Sequence, residues 1–276
     1  MTYKQIVKQY SKELRGITHI PAKEVEILIL HIQKQNTIWL HLNYDKQCNC
    51  EQELKKLVAK RATNYPLEYI TQRVSFYGEV FNIIDGVLIP RPETELLVEK
   101  AQDILKDIQN PTILEIGTGS GIISVMLATL IKDIKIVAVD INDKALGLAQ
   151  QNGNKFEVED KITFIKSDLF TNIDENIKFD MVISNPPYIA QNFKLPQNVK
   201  YEPSNALFGG KVGDELLKNI IDQTIQRDIP YLLCEMGYDQ KKPLTDYFNA
   251  QEKKPKKLEF YKDYENLDRG FVAKFN

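Results

Sequence analysis

The chain has 276 residues, 43% of them hydrophobic and 27% charged, with a formal net charge of −2 and a pI near 6.0. That suffices for one large domain, or two of unequal size, around a proper core. It argues against a general nucleic-acid binder, which carries a basic face and a high pI. Three cysteines, Cys48, Cys50 and Cys234, form no disulfide framework and fit a reducing, cytoplasmic setting. Cys48-Asn49-Cys50 has no companion ligand pair and His19, His31 and His41 lack metal spacing, so no metal is expected. No signal peptide opens the chain and no apolar run reaches membrane-spanning length, so the expectation is a soluble protein.

Residues 1 to about 70 read as helices. Tyr3 to Leu14 and Ala22 to Gln33 carry apolar residues at helical spacing, and Pro21 stands at a favoured helix start. Thr37 to Leu42 reads as a short turn of helix, Glu51 to Ala62 as a fourth segment, and Pro66 to Ile70 as the start of a fifth. The scattered lysines and arginines of this bundle read as a solvated face that could also dock an acidic or RNA-associated partner. From Val74 to Ile89 strand formers take over, interrupted by Gly78 and by Asp85-Gly86. Asp-Gly between such runs predicts a hairpin. Pro90-Arg91-Pro92-Glu93-Thr94-Glu95 then leads into a helix reaching about Ile108, its acidic residues suited to the helix dipole and its prolines forming a stiff lip. Beyond Pro111 strand and helix alternate, which predicts a mostly parallel sheet flanked by helices. Strands are expected at Thr112–Ile116, Ile134–Val139, Ile162–Ile165, Phe179–Ser184 and Tyr231–Glu235, with helices near Gly121–Ile131, Asp143–Asn152, Asp214–Arg227 and Gln240–Asn249. Leu258–Tyr261 and Gly270–Phe275 read as a closing antiparallel pair.

Two motifs carry the chemistry. Leu114-Glu115-Ile116-Gly117-Thr118-Gly119-Ser120-Gly121 ends a strand and opens a helix, and its glycines let a ligand approach the backbone. The dinucleotide fingerprint is broken in both registers: Ile122 follows three residues after Gly119, where Gly117 opens the count, and Ser124 stands where Gly119 would require a further glycine. Asp140 closes the next strand, where an acidic side chain meets ribose hydroxyls. Asp168, with Leu169 beside it, ends the third strand, where a polar group could meet an adenine amino group. Asn185-Pro186-Pro187-Tyr188 ends the fourth. An Asn amide oxygen and the Pro186 carbonyl can grip a planar –NH2 group by its hydrogens, with the Tyr188 ring covering a π face. Gripping orients the nitrogen lone pair and stabilises the charge that develops on it. The electrophile would be the methyl of S-adenosylmethionine, which needs no metal. Glu115 and Glu93 can influence the site, and neither is assigned as a base. The bland alternative, a strand that happens to end in a Pro-Pro turn, is weakened by the glycine loop on the same rim.

Asn185-Pro186-Pro187-Tyr188 together with Gly117-x-Gly119-x-Gly121 resembles the class I methyltransferases that modify planar nitrogens. Further stretches resemble the release-factor glutamine methyltransferases: Pro66-Leu67-Glu68-Tyr69-Ile70-Thr71, Leu88-Ile89-Pro90-Arg91-Pro92-Glu93-Thr94-Glu95, Tyr201-Glu202-Pro203 followed by Ala206-Leu207, and Asp268-Arg269. The resemblance covers nearly the whole chain. It implies a seven-stranded Rossmann-like α/β domain over residues 91–276, a helical recognition domain over 1–72 and a β-hairpin linker over 73–90. It also implies methylation of the glutamine side-chain amide nitrogen (N5) in the Gly-Gly-Gln motif of peptide chain release factors. Gly117, Thr118, Gly119, Ser120, Gly121, Asp140, Asp168, Leu169 and Asn185 would hold S-adenosylmethionine and release S-adenosylhomocysteine. Asn185, Pro186, Pro187 and Tyr188 would hold the glutamine, with Asn185, Pro186 and Tyr188 catalytic. No DNA or membrane partner is expected, and the chain is expected to act as a monomer. Three positions depart from the family: Gln72 where it usually has Gly, Ser75 where Glu is frequent, and Leu169 where Trp is frequent.

The alternatives are a DNA adenine-N6 methyltransferase, a glutamine methyltransferase acting on another protein, and a silent docking module. The first needs a target-recognition region and a pocket for a flipped base, for which the small helical domain and low pI leave little room. The last would neither bind S-adenosylmethionine nor transfer its methyl.

Overall fold

The computed structural model describes residues 1–276, which divide into two compact units: Met1–Arg73 with Pro196–Tyr201, and Val74–Leu195 with Glu202–Asn276. The first unit is a bundle of α1 (Tyr3–Tyr10), α2 (Pro21–Gln33), α3 (Thr37–Asn43), α4 (Glu51–Ala62) and α5 (Leu67–Thr71). A capping box formed by Thr2 and Gln5 starts α1. It stops at Tyr10 rather than Leu14 because Lys12 and Glu13 bond back three residues instead of four, tightening the chain into turns. Leu14 remains fully buried all the same, in a core with Ile6, Leu28, Ile29, Leu54 and Val58. Each such side chain contributes about 1.5–3 kcal/mol. Glu24 and Arg61 form a buried ion pair at 2.7 Å. Gln72 ends α5 with φ 56, the left-handed position that explains why glycine is usual there. The segment Pro196–Tyr201 belongs to this unit: the Tyr201 hydroxyl donates to the Thr63 carbonyl at 2.9 Å, and its ring lies edge-on to Tyr65.

The second unit begins with a hairpin of β1 (Arg73–Phe76) and β2 (Glu79–Asn82). Its turn is Tyr77-Gly78, not Asp85-Gly86: Tyr77 and Gly78 take φ of 54 and 78, the two left-handed residues that suit the twist of a tight hairpin. The Tyr77 amide is fixed by the Glu95 carboxylate at 2.7 Å. After α6 (Glu95–Leu105) the chain builds β3 (Thr112–Ile116), α7 (Ile122–Leu130), β4 (Lys135–Asp140), α8 (Asp143–Lys155), β5 (Ile162–Lys166) and β6 (Met181–Ser184). A short parallel pair, β7 (Ile189–Ala190) and β8 (Phe208–Gly210), follows; nothing in the residue pattern announced it. The unit closes with α9 (Glu215–Gln226), β9 (Tyr231–Glu235), α10 (Lys241–Ala250), β10 (Lys257–Lys262) and β11 (Asp268–Lys274).

One seven-stranded sheet runs in the order β10-β11-β9-β6-β3-β4-β5. Six strands run in one direction, and β11 alone is antiparallel, lying between β9 and β10. All residues of β6 are buried and β3 is buried from Ile113 onward, as expected of strands covered on both faces. The register sets Ile116 beside Val139 and Ser184, and Ser184 beside Cys234. The residues that follow, Gly117, Asp140, Asn185 and Glu235, therefore share one rim at the carboxyl ends of the strands. No helix is long and apolar enough to cross a membrane.

Candidate active site

A cavity of about 790 Å3, including its open mouth, lies on that rim, within the range of small-molecule sites. Gly117, Gly119, Asp140, Asp168, Leu169, Asn185, Pro186 and Pro187 line it, together with Gly86–Leu88 and Ala206. The three loop glycines all have positive φ, but they serve different ends. A Cβ on Gly117 or Gly119 would meet no atom within 4 Å, so these residues leave open space over the backbone. A Cβ on Gly121 would sit 2.8 Å from that of Ala149, so this glycine lets α7 and α8 pack. Thr118, Ser120 and Gly121 stand behind the wall: the Thr118 hydroxyl donates to Glu115 at 2.8 Å, and the Ser120 carbonyl accepts from Asn152 at 2.8 Å.

Asp140 is half-buried, and its carboxylate accepts the amides of Gly119 at 2.8 Å and Asn142 at 2.9 Å. Burial pushes its pKa up, and the backbone amides pull it back. A carboxylate held this way beside open glycines fits a ribose, whose hydroxyls are donors. Leu169 is buried with φ 50 and offers the cavity an apolar wall, while Asp168 is exposed at its edge. Phe170 turns into the core under the Arg227 guanidinium. The donor set and the apolar wall together fit a nucleoside.

Glu115 is fully buried below the loop, and its Oε1 has no partner. Oε2 accepts from Thr118 and from the amide and hydroxyl of Ser124. Burial dominates these bonds and raises its pKa to about 7. The folded state thus holds this proton more tightly than the unfolded chain. The contribution to stability is full below the unfolded value and is lost as pH rises through about 7. Glu115→Gln should flatten the stability profile by on the order of 2–3 kcal/mol across that window. Urea titrations of both proteins at a series of pH values check this; parallel profiles would refute it.

Asn185 follows β6 and is half-buried. Its Nδ2 donates to the Thr94 hydroxyl at 3.0 Å, Thr94 donates to Glu235 at 2.8 Å, and the Tyr188 hydroxyl donates to Glu235 at 2.9 Å. Burial and the neighbouring Glu235 carboxyl push the Tyr188 pKa far up, which keeps its hydroxyl protonated. Tyr188 thus directs its hydroxyl into the protein rather than lining the cavity. The turn is clasped from behind: Gln240 donates to the Tyr188 carbonyl at 3.0 Å, and the Ile189 amide donates to Leu207 at 2.9 Å. Thr94, Glu235 and Gln240 were not among the residues expected here. They lie far from the turn in sequence, and only the fold brings them to it.

The Pro90-to-Glu95 stretch is not the cavity lip; Gly86–Leu88 is. Its arginine instead ties two distant motifs. Arg91 pairs with Glu202 at 2.5 Å, Glu202 also accepts the Ile89 amide at 2.9 Å, and Arg91 donates to the Ile89 carbonyl at 3.0 Å. With the Glu202 side chain only 2% exposed, this charge-assisted set fixes the wall formed by Val87, Leu88, Pro203 and Ala206.

Comparison with known proteins agrees with this architecture. A family model described as the PrmC N-terminal domain matches residues 5–71, and the methyltransferase small domain matches residues 92–201. The chain is 34% identical to the release factor glutamine methyltransferase of Fusobacterium nucleatum over 92% of this chain and 73% of the relative. It is 30% identical to that of Aquifex aeolicus over 98% of this chain and 94% of the relative, and 30% identical to that of Buchnera aphidicola over 99% of each. Among solved structures, the catalytic domain of human METTL16 bound to an RNA hairpin superposes with a TM-score of 0.60 at 18% identity, over 79% of this chain and 82% of that one. A ribosomal protein L11 methylase from Lactobacillus delbrueckii does so at 0.50 and 16% identity, over 70% and 84%. These two share the class I methyltransferase fold. By its sequence over nearly its full length, the chain belongs to the release factor glutamine methyltransferases, S-adenosylmethionine-dependent enzymes that methylate protein glutamine.

Proposed function

We propose that the chain methylates the N5 nitrogen of the glutamine in the Gly-Gly-Gln motif of peptide chain release factors. Gly117, Gly119, Asp140, Asp168 and Leu169 hold the cofactor, Asn185 and Pro186 hold the amide, and Tyr188, bonded to Glu235, anchors the turn from behind. The observation that carries this reading is the Asn185 turn opening onto the same cavity as the glycine loop and Asp140. S-adenosylmethionine supplies a methyl already activated on a sulfonium. The Asn185 amide oxygen and the Pro186 carbonyl accept the two hydrogens of the substrate –NH2 and turn its lone pair toward that methyl. The same acceptors stabilise the positive charge gathering on nitrogen. The N-methylated amide cation is acidic and loses its proton to water, so no side chain needs to act as a strong base. Thr118, Ser120 and Gly121 support the loop from behind.

Asp140→Ala should weaken S-adenosylmethionine binding by about 1–3 kcal/mol, since a carboxylate–hydroxyl bond is charge-assisted. Calorimetry checks it, and unchanged affinity would take Asp140 off the ribose. The reading as a whole is tested by mass spectrometry of a recombinant release factor incubated with this protein and S-adenosylmethionine. One added methyl on the Gly-Gly-Gln glutamine is expected. Methylation of DNA or of another protein instead would keep the chemistry and discard the partner.

A further inference from the structure

The orientation of the Asn185 amide is set by the hydrogens available around it. Glu235, the last residue of β9, is 1% exposed, as is Thr94. Each oxygen of its carboxylate accepts one hydroxyl: Oε2 that of Thr94 at 2.8 Å, Oε1 that of Tyr188 at 2.9 Å. A threonine hydroxyl owns one hydrogen. Having given it to Glu235, Thr94 can only accept from Asn185, which it does at 3.0 Å from Nδ2. The –NH2 end of Asn185 is thereby committed to the protein, and Oδ1 is the end left for a ligand. An incoming glutamine amide offers hydrogens, so Oδ1 is the end it needs.

The surroundings keep this arrangement. Gly270 stands opposite Glu235 on β11. A Cβ there would lie 2.2 Å from the Tyr261 hydroxyl and 2.5 Å from the Cys234 carbonyl, so only glycine lets the Tyr261 ring close over this end of the sheet. Burial raises the Glu235 pKa above the ordinary carboxylate value; the hydrogen bonds from Thr94 and Tyr188, and then the charge of Arg269, itself paired with Asp263 at 2.7 Å, pull it back, while Glu93 adds a little to the rise.

We propose that Glu235 is a positioning residue for the methyl acceptor: through Thr94 it fixes which end of the Asn185 amide faces the substrate, and through its second oxygen it holds Tyr188. This rests on the glutamine-methylating reading above. Glu235→Gln places an –NH2 where an acceptor stood. When that group donates to Thr94, the threonine hydroxyl turns round, donates to Asn185, and swings the Asn185 –NH2 toward the substrate.

The test is single-turnover methylation of an intact release factor by wild type, Glu235→Gln, Thr94→Val, Thr94→Ser and the Glu235→Gln/Thr94→Val double variant. S-adenosylmethionine affinity is measured in parallel. Glu235→Gln and Thr94→Val are each expected to lose about 100-fold in rate, with cofactor affinity within roughly threefold of wild type. Thr94→Ser, which keeps the hydroxyl, should restore most of the rate. The double variant should be no slower than the slower single variant, because residues acting through one chain of bonds are not additive. Wild-type rates in Glu235→Gln, failure of Thr94→Ser to restore activity, or losses that multiply in the double variant would each overturn the inference. If Glu235→Gln does not fold, the Thr94→Val and Thr94→Ser pair decides alone: equal rates in the two refute it. Absence of methyl transfer by wild type would instead fault the functional reading.

Discussion

Asn185→Ala is expected to lower the rate of glutamine methylation by about 1,000-fold while leaving S-adenosylmethionine affinity within roughly threefold. The asymmetry follows from geometry. In the proposed arrangement the cofactor rests on Gly117, Gly119, Asp140 and Leu169, which line the cavity, and none of them bonds to the Asn185 side chain. The substrate amide would have Asn185 as its side-chain acceptor, and alanine offers neither that grip nor a donor to Thr94. Loss in the chemical step with binding of the cofactor intact is the signature of an interaction realised in the transition state. Single-turnover mass spectrometry with calorimetry on the same preparation measures both. Near-normal turnover would sink the amide grip; a collapse in cofactor affinity would show that Asn185 serves mainly to hold the donor.

The second large effect lies outside the motif. Gly209→Ala should cut turnover by about 100-fold with a smaller effect on stability. Its Cβ would fall 2.3 Å from the Pro187 carbonyl oxygen and 2.4 Å from that of Gly213. Both are backbone atoms, so no side chain can rotate to make room. β8 or the Asn185–Tyr188 turn has to shift, and a displacement of about 1 Å in a catalytic group costs on the order of 100-fold. Overpacking of this kind costs about 1–3 kcal/mol in stability, which a domain can survive. Thermal unfolding and turnover measured together check it: a variant as active as wild type would mean that the turn tolerates movement.

Much of this was readable from local pattern. The strand–glycine–helix run around Gly117 and the buried strand before Asn185 are short-range signals, and β3 and β9 begin and end where the residues said. Tyr77-Gly78 was not readable as the hairpin turn, because tyrosine pays a steric cost at positive φ that only the Glu95 contact and sheet pairing justify. Asp85-Gly86, the better turn by propensity, was used to shape the cavity edge instead. Thr94 and Glu235 escaped for another reason. They are 141 residues apart in sequence, and neither residue type in isolation marks a site. Arg91 and Glu202, at 111 residues, are the same case: their stretches resembled the family, but the ion pair joining them exists only in the fold.

The placement of β11 between β9 and β10 has a bearing on how the enzyme is born. The ribosome delivers β9 and then β10 to the growing chain, but the slot between them is filled by a segment made after both. Until Asp268–Lys274 emerges, β9 presents an unsatisfied edge, and Glu235 lacks Gly270 and Arg269 at its side. The nascent protein therefore has every residue of its glycine loop and of Asn185–Tyr188 exposed well before the platform behind them is complete. Chains halted short of β11 should be found with chaperones rather than as slow enzymes.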